Sequence, residues 1–337
     1  MKYRFILTEK CQADCPHCFN ASYRKTGEMA PGKLLQFLEF NKKYIGRESR
    51  AFLMGGEPTL HPDINSLIDI FQRHFRYISL FSNGIDLHRH TDNLSLRKHD
   101  SIIFNGFTFN PEKLKPFFLN PANEFTKAIH FVFTLDGHER MMAKLRNTVE
   151  TYGLRDDLKI AISPDTNVNI YNKEIKTHYQ EIWSKVLLEV KQYLPGYLID
   201  HPLPWCFYDN PELVFLATYS NIGGAVRNAF CGSGSYNSCA GLVTTNFDLY
   251  FCNQTWMKLG NIFHKNGEPL SLFEVNTLID EGVRKKVTAL KDGHPECRDC
   301  KVLELCKGRC FAYKFINSKG DGNESGTPVR AACQNPL

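Results

Sequence analysis

Two hydrophobic periods alternate along the first two-thirds of this 337-residue chain. Short apolar runs lie at 3–8, 51–54, 77–81, 101–104, 129–135 and 158–162, each the length of a buried strand. Between them apolar residues recur at helical spacing. Leu34, Leu35, Leu38 and Ile45 form one such stripe. Ile64, Leu67, Ile68, Phe71 and Phe75 form another, with Asp63 placed to cap it. A third helix is expected over 138–152. A longer one carries Ile175, Tyr179, Ile182, Val186, Val190 and Tyr193 and stops at Pro195-Gly196. Six strands with helical crossovers predict a parallel α/β architecture. Most of the strand runs end in polar or glycine-rich residues: Gly55-Gly56-Glu57-Pro58, Ser82-Asn83-Gly84, Asp136-Gly137, and Ser163 with Asp165, Asn167 and Asn169. Sites in folds of this kind gather at the C-terminal strand ends.

Near residue 200 the pattern changes to Pro202, Pro204, Trp205 and Cys206, so two domains are expected, 1–200 and 201–337. The length suits two domains. The stretch 318–327, rich in Gly and polar residues, reads as a loop. An apolar share of 42% and a charged share of 23% are those of an ordinary globular protein. A net charge of +5, with no dense Lys/Arg block, gives no footprint for nucleic acid. No signal peptide opens the chain and no apolar run reaches the ~20 residues of a membrane span, so a cytoplasmic setting without a membrane partner is expected.

The twelve cysteines are unevenly placed. Three stand in Cys11-Gln-Ala-Asp-Cys15-Pro-His17-Cys18, none follows until Cys206, and the remainder crowd the last third. In a reducing compartment such clusters bind metal more often than they form disulfides. Three thiols fall short of a closed structural zinc site, which takes four ligands. They suit an iron–sulfur cluster that leaves one iron open to a second ligand. A zinc loop and a disulfide scaffold are the competing readings. In the tail, Cys297-x2-Cys300-x5-Cys306-x3-Cys310 suits tetrahedral zinc or an iron–sulfur cluster equally.

Cys-x3-Cys-x-aromatic-Cys, with His17 in the aromatic slot, resembles the signature of radical S-adenosylmethionine (SAM) enzymes. Gly55-Gly56-Glu57-Pro58 resembles their GGEP motif, whose backbone meets the amino group of SAM. The resemblance implies a partial (β/α)6 TIM-type barrel, a [4Fe–4S] cluster on Cys11, Cys15 and Cys18, and SAM as co-substrate. Thr134 and Asp136 stand where such enzymes often contact ribose or carboxylate. Arg146 is placed to pair with the SAM carboxylate, and Asn83, Ser163 and Asn167 are further strand-end candidates.

The tail, with Cys231, Cys239 and Cys252 upstream and Cys333 downstream, resembles the SPASM extension of these enzymes, which usually holds two auxiliary [4Fe–4S] clusters. The resemblance assigns Cys231, Cys239, Cys252 and Cys310 to one cluster and Cys297, Cys300, Cys306 and Cys333 to the other. Cys206 is left as a buried thiol or an alternate ligand. Gly260, Asn261 and Ile262 resemble the extension's Leu-Gly-Asn-Ile segment. The extension has glycine five residues before the cysteine matching Cys252, where this chain has Phe247.

Enzymes with this extension mostly modify peptides, by crosslinking, epimerisation or oxidation, while others oxidise small sugar- or cyclitol-type alcohols. A precursor peptide is the first expectation for the substrate, a small molecule the second, and a flavodoxin- or ferredoxin-type protein the expected electron donor. The cluster loop begins at Cys11, so a peptide is expected to be recruited by another protein or read directly by the barrel and tail. Asn253 follows Cys252 where the sulfatase-maturating branch has an acidic base, which lowers the formylglycine reading. Asp136 and Asp248 remain as candidate bases. A non-catalytic iron–sulfur carrier or a zinc-binding module is the reading from another class.

Overall fold

The computed structural model describes residues 2–18, 20, 26–46, 49–87, 94–153, 158–165, 172–199, 203, 207–208, 241–252 and 257–291. The predicted alternation is present as strands β1 (Lys2–Ile6), β2 (Arg50–Met54), β3 (Tyr77–Ser82), β4 (Ser101–Asn105), β5 (Thr126–Phe133) and β6 (Leu158–Pro164). The crossover helices are α1 (Pro31–Asn41), α2 (Ile64–His74), α3 (Pro111–Leu119) and α4 (His138–Tyr152), with α5 (Lys173–Tyr193) leading into β7 (Leu198–Ile199). Strands β1 to β7 lie side by side in chain order and run parallel, the sheet of a partial TIM-type barrel.

Beyond β1 the sheet continues into β8 (Leu242–Val243), which pairs parallel to it, then antiparallel β9 (Asp248–Tyr250) and β10 (Lys258–Asn261). Helix α6 (Leu272–Lys291) follows. Sequence periodicity alone misses β7, α3 and α6. For α3 a signal was available: Asn110 accepts from Lys113 N at 3.0 Å as N-cap, with Pro111 in the first turn. Asp63 does start α2, but its side chain makes no capping bond; its own N–H donates to His61 Nδ1 at 3.0 Å.

The two faces of the sheet differ. One face is dry beneath the helices, where Phe5, Leu53, Leu80, Phe104, Ile129 and Phe131 are fully buried. Phe104 packs against Phe117 and Phe118 of α3, and Phe5 against Phe71 of α2. On the other face Phe52, Phe81, Ile103, Asn105, Ala128, His130 and Val132 are only half-buried. This gives β5 a strict alternation, where a parallel strand covered on both sides reads as a continuous apolar run. The second face is the concave wall. It carries its own small apolar cluster of Ile6, Met54 and Leu242, with Phe81 and Tyr250 against it.

The segment after 241 is built onto this barrel. Phe247, Leu249, Phe263, Leu272, Val275 and Ile279 join the main core. Fully buried Asn41 ties α1 to the start of α6, donating to Leu270 O at 3.0 Å and accepting from Leu272 N at 2.7 Å. Phe247 has φ 62°, a left-handed backbone rarely adopted by a bulky residue. The position where the SPASM pattern has glycine therefore does take the glycine conformation here.

Candidate cluster and cofactor site

The site begins where β1 and β2 end together. Leu7 N donates to Met54 O at 2.8 Å, Gly56 N to Thr8 O at 2.8 Å, and Glu57 N to Lys10 O at 2.7 Å. The Gly-Gly segment thus clasps the strand that leads into the cysteine loop. A Cβ on Gly55 would stand 2.3 Å from Thr8 O, and one on Gly56 2.1 Å from Lys10 O, so only glycine allows the clasp. The N–H groups of Gly56 and Glu57 are engaged by the loop. What the pair can offer a ligand is carbonyl oxygen, an acceptor suited to an ammonium group.

Glu57 holds the other side of the motif. Its carboxylate, 1% exposed, accepts from Thr59 N at 3.2 Å, Thr59 Oγ1 at 2.7 Å, Ser82 Oγ at 3.0 Å and Asn83 N at 2.6 Å. Burial pushes its pKa up, and the bonds from Asn83, Thr59 and Ser82 oppose that. Four donors from within the protein meet this carboxylate, so Glu57 staples the β2 end to the β3 end.

Cys11, Cys15 and Cys18 take part in no disulfide among the described residues. Among the described residues no three cysteine, histidine or carboxylate side chains converge on one point as a mononuclear ion requires. A cube of iron and sulfide needs its thiolates spread apart. Two side-chain amides face the loop: Asn105 Nδ2 is 3.3 Å from Cys15 Sγ, and Asn83 Nδ2 is 3.7 Å from Cys11 Sγ. His17 stands edge-on to Phe107, with centroids 5.6 Å apart, and neither ring nitrogen has a partner in good hydrogen-bond geometry. Burial holds its pKa down against the charge of Asp165 and the adjacent Asn105 amide. Arg140 lies over the Phe107 ring, and Lys144 Nζ donates to Phe107 O at 2.6 Å. Burial, then Arg140, depresses the Lys144 pKa, while Cys15 opposes. Thiols outside any disulfide, amides aimed at them, an imidazole with its ring nitrogens shielded from solvent and the glycine clasp all fit an iron–sulfur cluster with SAM beside it.

The remaining candidates divide. Thr134 Oγ1 accepts from Gly137 N at 3.1 Å, closing the turn after β5, and Asp136 is exposed on that turn. Ser163 is buried on β6, its Oγ 2.9 Å from His130 Nε2. Arg146 extends away from the strand ends, its Nε 3.1 Å from Glu189 Oε1 on α5. Asp248 pairs with Lys258 Nζ at 2.7 Å and accepts from Asn261 Nδ2 at 3.0 Å, which holds the β9–β10 hairpin. Cys252, just past β9, is buried and takes part in no disulfide among the described residues. Cys206, Cys231, Cys239, Cys297, Cys300, Cys306, Cys310, Cys333 and Asn167 lie outside the described residues. Sequence reasoning missed Asn105, His130, Arg140 and Lys144. Asn105 ends β4 as Asn83 follows β3, so the strand-end rule could have found it.

A parallel half-barrel with a three-thiol loop and a glycine clasp at its strand ends defines a class, and the comparisons agree with it. Residues 5–159, just under half of the chain, match the radical SAM superfamily, a superfamily of enzymes. A probable GTP 3′,8-cyclase of Methanococcus maripaludis is 30% identical over 120 residues, 34% of this chain and 38% of that protein. The chain therefore spans well under half the length of that relative. Among solved structures, Streptococcus suis SuiB bound to precursor peptide SuiA is similar with a TM-score of 0.60 at 15% identity, over 92% of this chain and 72% of that one. The anSMEcpe protein with bound AdoMet and Kp18Cys peptide gives 0.59 at 18%, over 92% and 89%. At these identities the likeness is one of fold. Among the described residues no helix is long and apolar enough to cross a membrane.

Proposed function

We propose that this protein cleaves SAM reductively and abstracts hydrogen from a residue of a precursor peptide. The carrying observation is the clasped loop itself. Cys11, Cys15 and Cys18, none of them in a disulfide, lie on the loop clasped by Gly55 and Gly56, which directly follow Met54 of the small apolar cluster on the second face of the sheet. When bound, the cluster and SAM supply one-electron cleavage of the sulfonium to methionine and a 5′-deoxyadenosyl radical. Cys11, Cys15 and Cys18 would hold three irons, and the Gly55 and Gly56 carbonyls would receive the SAM ammonium. His17 packs beside the loop against Phe107. Ile6, Met54, Phe81 and Leu242 keep water from the reacting centre. Thr134, Asp136 and Ser163 remain candidates for SAM contacts, Asp136 and Asp248 for a base.

The peptide reading is supported by a fold shared over nearly the whole chain with two proteins whose structures hold peptides. A SPASM extension over 201–337 is supported by the antiparallel strands β8 to β10, with buried Cys252 in the connection between β9 and β10. In this reading Cys231, Cys239, Cys252 and Cys310 hold one auxiliary cluster and Cys297, Cys300, Cys306 and Cys333 the other. A flavodoxin- or ferredoxin-type protein delivers the electron.

The test is anaerobic. The protein is loaded with iron and sulfide, then given SAM, dithionite and candidate substrates. About twelve irons per chain, three clusters of four, are expected, with 5′-deoxyadenosine release rising on adding a peptide. A rise with sugars or cyclitols alone assigns a small-molecule dehydrogenase. No SAM cleavage by the loaded protein overturns the proposal.

A further inference from the structure

Two asparagines at neighbouring strand ends share one unusual arrangement. Asn83 follows β3 and accepts from Ile85 N through Oδ1 at 2.9 Å. Asn105 ends β4 and accepts from Phe107 N through Oδ1 at 3.0 Å. Each therefore has its amide orientation set by a backbone donor two residues ahead. The oxygen is held by the turn, and the NH2 must point the other way. In both cases it points at a cysteine of the loop: Asn105 Nδ2 to Cys15 Sγ at 3.3 Å, Asn83 Nδ2 to Cys11 Sγ at 3.7 Å and Gln12 Oε1 at 3.1 Å. Thr108 Oγ1 joins the two turns, donating to Asn83 O at 2.7 Å with Asn105 O 3.2 Å away. Glu57 fixes Asn83 from behind through its backbone N–H at 2.6 Å.

We infer that Asn83 and Asn105 are paired N–H···S donors that position Cys11 and Cys15 and raise the reduction potential of the cluster they hold. The inference rests on the cluster reading above. The physics is electrostatic. The positive end of each amide dipole lies against sulfur that gains negative charge when the cluster takes an electron, so each donor favours the reduced state. Held by the two turns, the donors need little rearrangement as the charge arrives. These are positioning residues, acting through the thiolates.

The experiment uses the full chain loaded with iron and sulfide. The site cluster is identified by the change in its electron paramagnetic resonance signal when SAM is added. Its midpoint potential is measured in wild type, N105A and N105D, and in N83A and N83D, with circular dichroism of the metal-free proteins checking the fold. Aspartate keeps the turn acceptor but presents oxygen to the sulfur. Alanine removes both. A folded series in which the midpoint falls, or the iron content drops, in the order wild type, Ala, Asp supports the inference. Asp variants that match wild type, with Ala variants impaired, mean that only the turn matters and overturn it. Should one position fail to fold, the other carries the same ranking. A wild-type cluster that never responds to SAM instead defeats the cluster reading, which separates the two failures.

Discussion

Gly56→Ala puts the clasp to the sharpest test. The new Cβ would stand 2.1 Å from Lys10 O, 2.6 Å from Lys10 C and 2.8 Å from Glu9 O. All three are backbone atoms, so no side chain can rotate away. Relief requires the segment leading into the cysteine loop to move by about 1.3 Å or more to reach ordinary contact. That movement stretches the bonds from Gly56 N to Thr8 O and from Glu57 N to Lys10 O, now 2.8 and 2.7 Å. Two backbone bonds at about 0.5–1.5 kcal/mol each and an overpacking cost of about 1–3 kcal/mol give a loss near 4 kcal/mol. Urea denaturation of the metal-free protein reads the stability, and iron content after anaerobic loading reads the loop. Gly32→Ala is the control: nothing lies within 4 Å of a Cβ there, and it sits in α1, so a gain of up to about 1 kcal/mol is expected. A Gly56→Ala protein within about 0.5 kcal/mol of wild type and fully loaded with iron refutes the reasoning.

The other predictions concern single buried groups. Glu57→Gln keeps the shape but sets an NH2 against at least one of four donors, for a loss of about 2–3 kcal/mol in the urea midpoint; no change would mean that the carboxyl is already protonated. Phe247→Gly relieves roughly 1–2 kcal/mol of left-handed strain but removes a buried ring worth about 3–5 kcal/mol, so a net loss is expected, and a stabilised variant sinks this account of the hairpin. Tyr3 has its pKa pushed up by burial from 10.0 to about 12. The folded state therefore keeps a proton that the unfolded chain releases, and this contribution is complete below pH 10 and lost as pH rises towards 12. Tyr3→Phe should remove about 2–3 kcal/mol of that alkaline loss, read as urea midpoints between pH 9 and 12; identical pH profiles refute it.

How much of this was legible depends on which physical constraint each residue answers to. The barrel strands and most of the helices show in the sequence because burying one face of a helix or strand imposes a period, as in β5, α2 and α5. The clasp shows because backbone approach at 2.1–2.3 Å admits only glycine, and glycine pairs are visible. Helix α3 hides because Pro116 interrupts its pattern and its apolar residues crowd together as Phe117 and Phe118. The site's finer chemistry hides for another reason. Asn83 at a strand end and Arg146 on the following helix stand as candidates for SAM contacts because position along the chain fixes a residue's neighbourhood and leaves its direction open. Direction is set by local bonds: the Ile85 N–H turns the Asn83 amide toward sulfur, and Glu189 draws Arg146 into the helix layer. Asn105 and Lys144 converge on Cys15 across 90 and 129 positions of chain, a coincidence that no local pattern encodes. A strand end thus marks where chemistry collects, and the turn that follows decides which atom faces it.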